Sequence, residues 1–253
     1  FMAIKEHFGN QALQKWDDKK AVARDPKTLE KYRTMLVDQI QYFKVTQYFF
    51  FKQWSELKHY ANQKGIKIIG DMPIYVAADS VEVWTKPELF QLDKERNPLF
   101  VAGVPADQFS ATGQLWGNPL YDWEEHKKQG YAWWIHRIEE SFKIYDVLRI
   151  DHFKGFSDYW QVDGKADIAK YGSWQPGPGY DLFKAVKEQL GDLPIIAEDL
   201  GNIDDKARKL LADCNYPGMK ILQFGFEDIS GKSLDSPHYC IPHSIVYTGT
   251  HDN

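Results

Sequence analysis

The chain has 253 residues with 31 basic and 36 acidic side chains, which gives a formal net charge of −5. This length suits one large domain or two ordinary ones. A mildly acidic balance without a basic cluster argues against nucleic acid or an anionic membrane as the main partner. No apolar run is long enough to span a bilayer, and no signal-peptide pattern is present. Cys214 and Cys240 make no disulfide framework, so the cytoplasm is the expected location.

Both ends of the sequence are typical of the interior of a protein. Phe1-Met2-Ala3-Ile4 has the pattern of the middle of a helix, and Asn253 falls just beyond a motif. We therefore expect the chain to be one segment of a longer polypeptide.

The first quarter of the chain is predicted to be helical. Residues 1–16 are expected to form part of a helix. Asp25-Pro26 is a helix-start signal, an N-cap residue followed by Pro at the first helical position. Apolar side chains then recur in steps of three or four up to Ala61, which predicts one long amphipathic helix, or two nearly collinear ones, ending at Gly65. A strand is predicted over Ile66–Ile69.

The rest of the chain alternates between irregular stretches and periodic ones. Residues 72–125 have little periodicity and are rich in Pro, Gly, Trp and Phe, and residues 152–180 are similar. Helices are predicted over Tyr131–Tyr145, Asp181–Leu190 and about Asp204–Asp213. Strands are predicted over Asp146–Ile150, Pro194–Ala197, Met219–Phe226 and Ile245–Thr248.

Alternation of helix and apolar strand predicts an α/β fold with parallel strands and helical crossovers. An open nucleotide-binding sheet should carry a glycine-rich turn after its first strand, and neither G-x-G-x-x-G nor G-x(4)-G-K-[ST] occurs. Carboxylates at the ends of several strands favour a (β/α)8 barrel instead. With five strands in the sequence, we predict that residues 1–253 are the central part of one incomplete barrel domain, with irregular insertions near 72–125 and 152–180.

Four apolar, strand-like runs each end in an acidic residue, namely Asp71, Asp151, Glu198 and Asp252. Strand side chains alternate between faces, so Arg149 and Asp151 point the same way. A cation beside a carboxylate favours its ionised form. The pair is therefore either a structural ion pair or part of a site.

If the acids of three strands meet at one edge of the sheet, two chemistries are open. Retaining glycosyl transfer needs an ionised carboxylate and a protonated carboxylic acid roughly 5–5.5 Å apart. Arg149 would hold Asp151 ionised, and a partly desolvated Glu198 facing negative charge would have a raised pKa. The alternative is a divalent-metal site, since Asp, Glu and His are metal ligands. The absence of an H-x-H or H-E-x-x-H pair makes the metal site the weaker alternative.

The stretch Gly103–Tyr121 interleaves aromatic side chains with amides and turn residues. Aromatic faces and amide groups suit sugar rings, which are apolar on their faces and hydroxylated at their edges. Trp and Phe are mostly core residues, however. The composition therefore leaves both a sugar cleft and a packed loop open.

Six segments in order, spanning nearly the whole chain, resemble the 4-α-glucanotransferases, the amylomaltase or disproportionating-enzyme family. They are GDMPIYV (Gly70–Val76), GVPADQFSATGQLWGNPLYDW (Gly103–Trp123), RIDHFKGF (Arg149–Phe156), AEDLG (Ala197–Gly201), PGMKILQF (Pro217–Phe224) and YTGTHDN (Tyr247–Asn253). That family belongs to the α-amylase-like group of (β/α)8 TIM barrels, so the resemblance implies this fold.

The resemblance implies a role for each matching residue. Asp151 matches the nucleophile, Glu198 the acid/base and Asp252 the third carboxylate, which binds hydroxyls of the donor sugar. The residues matched to substrate binding are Asp71, Arg149 and His251 around the donor sugar, Gln108 and Phe109 in a mobile loop over the acceptor, Trp116 and Asn118 beside that loop, and His152 near the acceptor.

The implied activity is transfer of α-1,4-glucan segments between maltodextrins through a covalent glucosyl-Asp intermediate, without metal or cofactor. Because this intermediate must outlast water, the Gln108–Phe109 loop is expected to act as a lid. The implied partners are α-1,4-glucan oligosaccharides and the remainder of the polypeptide, which would complete the barrel. Two alternatives stay open: an inactive glucan-binding fragment and an α-glucan hydrolase on the same barrel.

Overall fold

The structure is a computed structural model that describes residues 1–106, 110–201, 203–227 and 229–250. The chain forms two compact units, each built from separate stretches of sequence. Unit 1 holds residues 1–66, 75–129 and 160–175, and unit 2 holds residues 67–74, 130–159 and 176–253.

The helices are α1 (Met2–His7), α2 (Lys19–Val22), α3 (Pro26–Met35), α4 (Val37–Gln63), α5 (Val81–Thr85), α6 (Trp123–Lys128), α7 (Ala132–Ile144), α8 (Tyr180–Leu190), α9 (Asp205–Cys214) and α10 (Leu222–Glu227). Short 3₁₀ helices lie at Leu13–Lys15, Pro87–Leu89, Phe153–Phe156 and Pro237–Tyr239. The strands are β1 (Ile69–Met72), β2 (Phe100–Val104), β3 (Gln114–Pro119), β4 (Val147–Ile150), β5 (Asp158–Asp163), β6 (Gly172–Pro176), β7 (Ile195–Ala197), β8 (Gly218–Ile221) and β9 (Ser244–Tyr247). No helix in the described ranges is both long and apolar enough to cross a membrane.

Unit 1 opens with the predicted helical region. The carboxylate of Asp25 accepts a hydrogen bond from the Thr28 amide at 2.9 Å, and Pro26 takes the first helical position of α3. The predicted long helix is divided in two at Leu36, where φ is −111°. Unlike the expected amphipathic helix, α4 has no buried residue among those described.

The stretches predicted to be irregular contain a sheet in unit 1, in which β2 pairs antiparallel with β3 and with β5. Its strand order is β3-β2-β5-β6, and Val101, Val162 and Ala169 form a buried cluster on it. A Cβ on Gly103 would lie 2.4 Å from the carbonyl oxygen of Gln114, so the close approach of β2 and β3 requires glycine there. Glycines of this kind contributed to the prediction that these stretches are irregular.

Unit 2 contains the parallel strands. The sheet β1-β4-β7 and the pair β8-β9 are both parallel. The amide of Ala197 in β7 donates to the carbonyl of Pro217, just before β8, at 3.0 Å. The described residues of unit 2 therefore form five parallel strands, the number predicted, and α7 packs against β1 and β4.

Two predicted strands differ from the observed ones by more than one residue at an end. The strand expected at Ile66–Ile69 is displaced to Ile69–Met72, beyond the turn at Gly65. The strand expected over Met219–Phe226 stops at Ile221, and the rest of that apolar run forms α10. A short apolar run does not distinguish strand from buried helix, which explains the second error.

Candidate active site

Three parallel strands of unit 2 end side by side with acidic residues on a common face. The register pairs Asp71 with Arg149 and Arg149 with Ile196. Paired residues in parallel strands face the same side, and so do residues two apart along a strand. Asp71, Arg149, Asp151 and Glu198 therefore project from one face, as the sequence predicted for Arg149 and Asp151.

Main-chain hydrogen bonds continue past the strand ends and hold the acidic residues in place. The amide of Asp151 donates to the carbonyl of Met72 at 3.0 Å, and the amide of Glu198 donates to the carbonyl of Ile150 at 3.0 Å. The carbonyl of Glu198 accepts from the amide of Phe153 at 3.1 Å. Each acid is thus fixed to a neighbouring strand end by its own backbone.

Arg149 lies between two carboxylates. Its Nη1 is 2.6 Å from Oδ1 of Asp71, its Nη2 is 2.9 Å from Oδ1 of Asp151, and its Nε donates to Sδ of Met219 at 3.3 Å. The Arg149 side chain is 9% exposed, whereas those of Asp71 and Asp151 are about 40% exposed. Burial alone would lower the pKa of Arg149, but the hydrogen bond to Asp71 and the charge of Asp151 leave that pKa raised. A fixed, buried cation thus accompanies an Asp151 carboxylate that solvent can reach.

Glu198 is held by two main-chain donors. Its Oε2 accepts from the His152 amide at 2.8 Å, and its Oε1 accepts from the Leu200 amide at 2.7 Å. Burial raises the pKa of Glu198 to about 7, with a further upward contribution from the Asp151 charge, while the two amides and Arg149 act in the opposite direction. A carboxyl group with this pKa exchanges its proton near neutral pH, as a general acid/base must.

His152 follows Asp151 in a left-handed backbone conformation, with φ 51° and ψ 50°. Burial lowers the pKa of its imidazole to about 4, and the charge of Lys154 adds to this effect. The imidazole is therefore neutral near pH 7. Its predicted role near the acceptor stays a prediction.

A cavity of about 370 Å³ lies on the face that carries the acids. It is lined by Asp71 and Arg149, by Met219 from β8, and by Tyr247 and Thr250 from β9 and beyond. Met219 and Tyr247 were not among the residues predicted for the site, although both lie in the quoted segments. Their places in those segments, with Met219 directly after Gly218 and Tyr247 two residues before Gly249, were the available signal.

The other predicted site residues are in unit 1 or outside the described residues. Trp116 is 37% exposed on β3 with its ring centroid 6.3 Å from that of Tyr75, and Asn118 Nδ2 donates to the Val76 carbonyl at 2.9 Å. Their place beside the acceptor remains a prediction. Gln108, Phe109, His251 and Asp252 lie outside the described residues.

Within the described ranges, one group of side chains could hold a metal ion. His136, Glu139 and Glu140 lie on α7, with the His136 Nδ1 atom 3.8 Å from a carboxylate oxygen of each. All three side chains are about half exposed or more, and Glu140 also pairs with Lys143. Spacings of three and four residues bring such side chains together on any helix, so this group does not indicate a functional metal site.

The whole chain matches a known protein family. The model of glycoside hydrolase family 77, described as 4-alpha-glucanotransferase, matches residues 1–253. The chain is 55% identical over 253 residues to the 4-alpha-glucanotransferase of Streptococcus pneumoniae serotype 4, covering 100% of this chain and 50% of the relative. It is 48% identical over 255 residues to the 4-alpha-glucanotransferase of Clostridium butyricum, covering 100% of this chain and 52% of the relative.

A solved structure shows the same similarity. The amylomaltase from Streptococcus agalactiae, determined in complex with acarbose, superposes with a TM-score of 0.98 at 62% identity, covering 100% of this chain and 51% of that one. The chain therefore spans about half the length of the relatives it matches.

Proposed function

The chain belongs to glycoside hydrolase family 77, the 4-alpha-glucanotransferases, and from this we propose that the whole protein moves α-1,4-glucan segments between maltodextrins by double displacement. The observation that carries the proposal is the Glu198 carboxyl group, whose pKa of about 7 suits proton exchange and whose strand neighbours the strand of Asp151. An adjacent nucleophile and acid/base are the two groups that retaining transfer requires.

In the first step, a carboxylate oxygen of Asp151 attacks the anomeric carbon of the donor. The bond from that carbon to the glycosidic oxygen breaks, and Glu198 gives its proton to the departing oxygen. The products are a covalent glucosyl-Asp151 ester and a shortened glucan. Arg149 fixes the position of the Asp151 carboxylate through its 2.9 Å ion pair.

In the second step, Glu198 takes the proton of the acceptor 4-hydroxyl. The acceptor oxygen attacks the anomeric carbon, the ester bond to Asp151 breaks, and both carboxyl groups return to their starting states. Two inversions at the same carbon retain its configuration.

Substrate contacts are proposed on the family pattern. Asp71, Arg149 and His251 would surround the donor sugar, and Asp252 would bind its hydroxyls as the third carboxylate. The proposed acceptor residues are Trp116 and Asn118, with Gln108 and Phe109 in a loop that excludes water. Acarbose in the S. agalactiae amylomaltase supports α-glucan oligosaccharides as the substrate class.

We also propose that other parts of the whole protein complete the barrel. The described part of the chain has five parallel strands, and the chain spans about half the length of its relatives, whereas a closed barrel of this type has eight strands. In the described structure β1 and β9 each pair on one side only. Such edge strands present unpaired main-chain donors and acceptors, which proteins commonly cover or protect.

Replacing Asp151 with Asn in the whole protein tests the nucleophile. We expect turnover of maltotriose to fall by about 10⁴-fold or more, while binding of maltodextrin stays measurable by calorimetry, because the amide keeps the shape but not the nucleophilicity of the carboxylate. Asp199→Asn is a matched control, since Asp199 follows Glu198 and accepts a hydrogen bond from the Met219 amide instead.

Product analysis separates the possible activities. Longer and shorter maltodextrins from maltotriose indicate transfer, whereas only shorter sugars would indicate an α-glucan hydrolase. Near-normal turnover by the Asp151→Asn variant would remove Asp151 from its proposed role.

A further inference from the structure

The turn that follows Asp151 carries one of the two main-chain donors that bind the Glu198 carboxyl group. The His152 amide points at Glu198 and lies 2.8 Å from Oε2, and the next amide, that of Phe153, binds the Glu198 carbonyl at 3.1 Å. One turn thus fixes both the carboxyl group and the backbone of Glu198. The turn begins at Asp151, so it also links the two acids of the proposed reaction.

This turn depends on an unfavourable backbone conformation. His152 has φ 51°, a left-handed conformation in which the Cβ atom of a non-glycine residue approaches the following carbonyl oxygen. Such conformations persist where the surrounding structure enforces them, and they cluster at functional sites. The His152 carbonyl also accepts from the Gly155 amide at 2.9 Å, which closes the turn.

The imidazole packs closely against a glycine. A Cβ on Gly155 would lie 3.0 Å from Cδ2 of His152 and 2.7 Å from Cδ1 of Ile74. The ring therefore occupies space that only glycine at position 155 leaves open. Burial keeps its pKa low, at about 4, so the ring carries no charge that it could offer a substrate or Glu198 near neutral pH.

We infer that His152 is a positioning residue of the proposed transfer reaction, and that it acts through its main-chain amide, held in a left-handed turn, rather than through its imidazole. The amide fixes the position of Oε2 of Glu198, and with it the orientation of the carboxyl group that gives up and takes back the proton. This inference rests on the proposed function.

The protonation of Glu198 reports on this contact. Among the described residues, the charged groups facing it are Arg149 on β4 and Asp151 just beyond that strand, with Asp71 behind Arg149 and Lys154 near the imidazole. The His152 amide favours the ionised carboxylate. Losing that contact raises the pKa of Glu198 further, which moves the basic limb of the activity profile to higher pH.

The experiment compares His152→Val, His152→Asn and His152→Gly in the whole protein with maltotriose. Valine strongly disfavours the left-handed conformation, whereas glycine and asparagine adopt it. We expect the Val variant to lose about 10²-fold in kcat, with little change in KM and a basic limb at higher pH. The Asn and Gly variants should be rescued to within about 10-fold of the original kcat, with the limb unmoved.

Three results overturn the inference. Asn and Gly variants that lose as much activity as the Val variant, with a raised KM, would show that the imidazole contacts the sugar. A Val variant with unchanged kcat and pH profile would show that the turn does not matter. If the Val variant does not fold, His152→Ala provides the same comparison, and an Ala variant that behaves like the Gly variant is the third overturning result.

A titration without turnover keeps this inference separate from the proposed function. The carboxyl carbon of Glu198 is followed by NMR against pH in the original protein and in the Asn and Val variants. We expect a higher pKa in the Val variant alone, whether or not the protein transfers glucan. Absence of transfer by the original protein would refute the proposed function, and equal titration in all three would refute the positioning role.

Discussion

The Glu198 carboxyl group is held by two main-chain amides in a place where burial favours its protonated form. Burial and the charge of Asp151 raise its pKa, and the amides of His152 and Leu200 oppose them. The resulting pKa of about 7 is set by effects that oppose one another. Small local changes should therefore move the pH range in which the residue acts.

The first prediction concerns this pH range. The first step of the proposed mechanism needs protonated Glu198, so transfer should decline as the pH rises through about 7. Initial rates of maltotriose disproportionation between pH 5 and 9 measure this. Asp199→Asn should leave the limb in place, and Glu198→Gln should remove nearly all activity at every pH. A rate that stays constant to pH 9 would contradict the assignment.

A second residue-scale prediction concerns Arg149. Its planar group reaches Asp71, Asp151 and Met219 at once, and an ammonium group cannot reproduce that geometry. Arg149→Lys should lower kcat/KM for maltotriose by roughly 10²-fold, although the positive charge is kept. The conservative substitution Arg137→Lys, at an arginine bound to the Pro73 and Ile74 carbonyls, serves as the comparison. An Arg149→Lys variant as active as the original would show that charge alone suffices.

At the scale of elements, the turn after β4 is connected to the start of α9. The Lys154 Nζ lies 3.2 Å from Asp204 Oδ2, and Asp204 Oδ1 accepts from the Ala207 amide at 2.9 Å. Asp204 is therefore both the N-cap of α9 and the partner of a side chain that is only 13% exposed. The hydrogen bond from Ala207 is the main cause of its lowered pKa, and Lys154 contributes to it.

Asp204→Ala should lower the free energy of unfolding by about 1–2 kcal/mol. Asp204→Asn should lower it by less, because asparagine still caps the helix. Urea denaturation of the whole protein at pH 7 measures both. Since the pKa of Asp204 is lowered by folding, its contribution is present above the pKa of the unfolded chain and is lost as the pH falls through the folded value. Equal stability of the three proteins would contradict the capping role.

The sequence predicted elements whose partners are close along the chain, and it missed those whose partners are distant. The strand around Arg149 and the helix after Asp181 are marked by their own periodicity. The sheet containing Val101 is not marked in this way. Val101 pairs with Val162, some sixty residues later, and no local pattern in the sequence indicates that pairing. In the same way, shared faces predicted Arg149 beside Asp151, but the amide of Leu200 that holds Glu198 has no side-chain signal.

At the scale of the whole molecule, α4 is unusual because its large apolar side chains are exposed to solvent. Tyr42, Tyr48, Phe50 and Phe51 are each about half exposed or more, and no described residue of this helix is buried. Large exposed apolar patches mark surfaces that bind another protein or another part of the same one. On the proposed completion of the barrel, the remaining polypeptide supplies that cover.

The chain of 253 residues, expressed alone, should self-associate and bind a hydrophobic dye, and it should show no transfer. Phe50→Ser with Phe51→Ser should reduce association of the isolated chain, and the same pair should destabilise the whole protein. Lys44→Ser with Lys52→Ser, on the same helix, should do neither. Sedimentation and dye fluorescence decide this. If the isolated chain is monomeric and binds no dye, the proposal that another part of the protein covers the apolar surface of α4 is contradicted.

The chain enters each compact unit more than once: unit 1 is assembled from three separate stretches, and so is unit 2. Neither unit is therefore encoded by one continuous stretch of the gene. Recombination that exchanges a contiguous block between homologues would therefore bring mismatched halves into both cores, and a truncation ending within residues 75–175 would remove part of each. Point substitutions, and exchange of the whole interleaved region, avoid this mismatch.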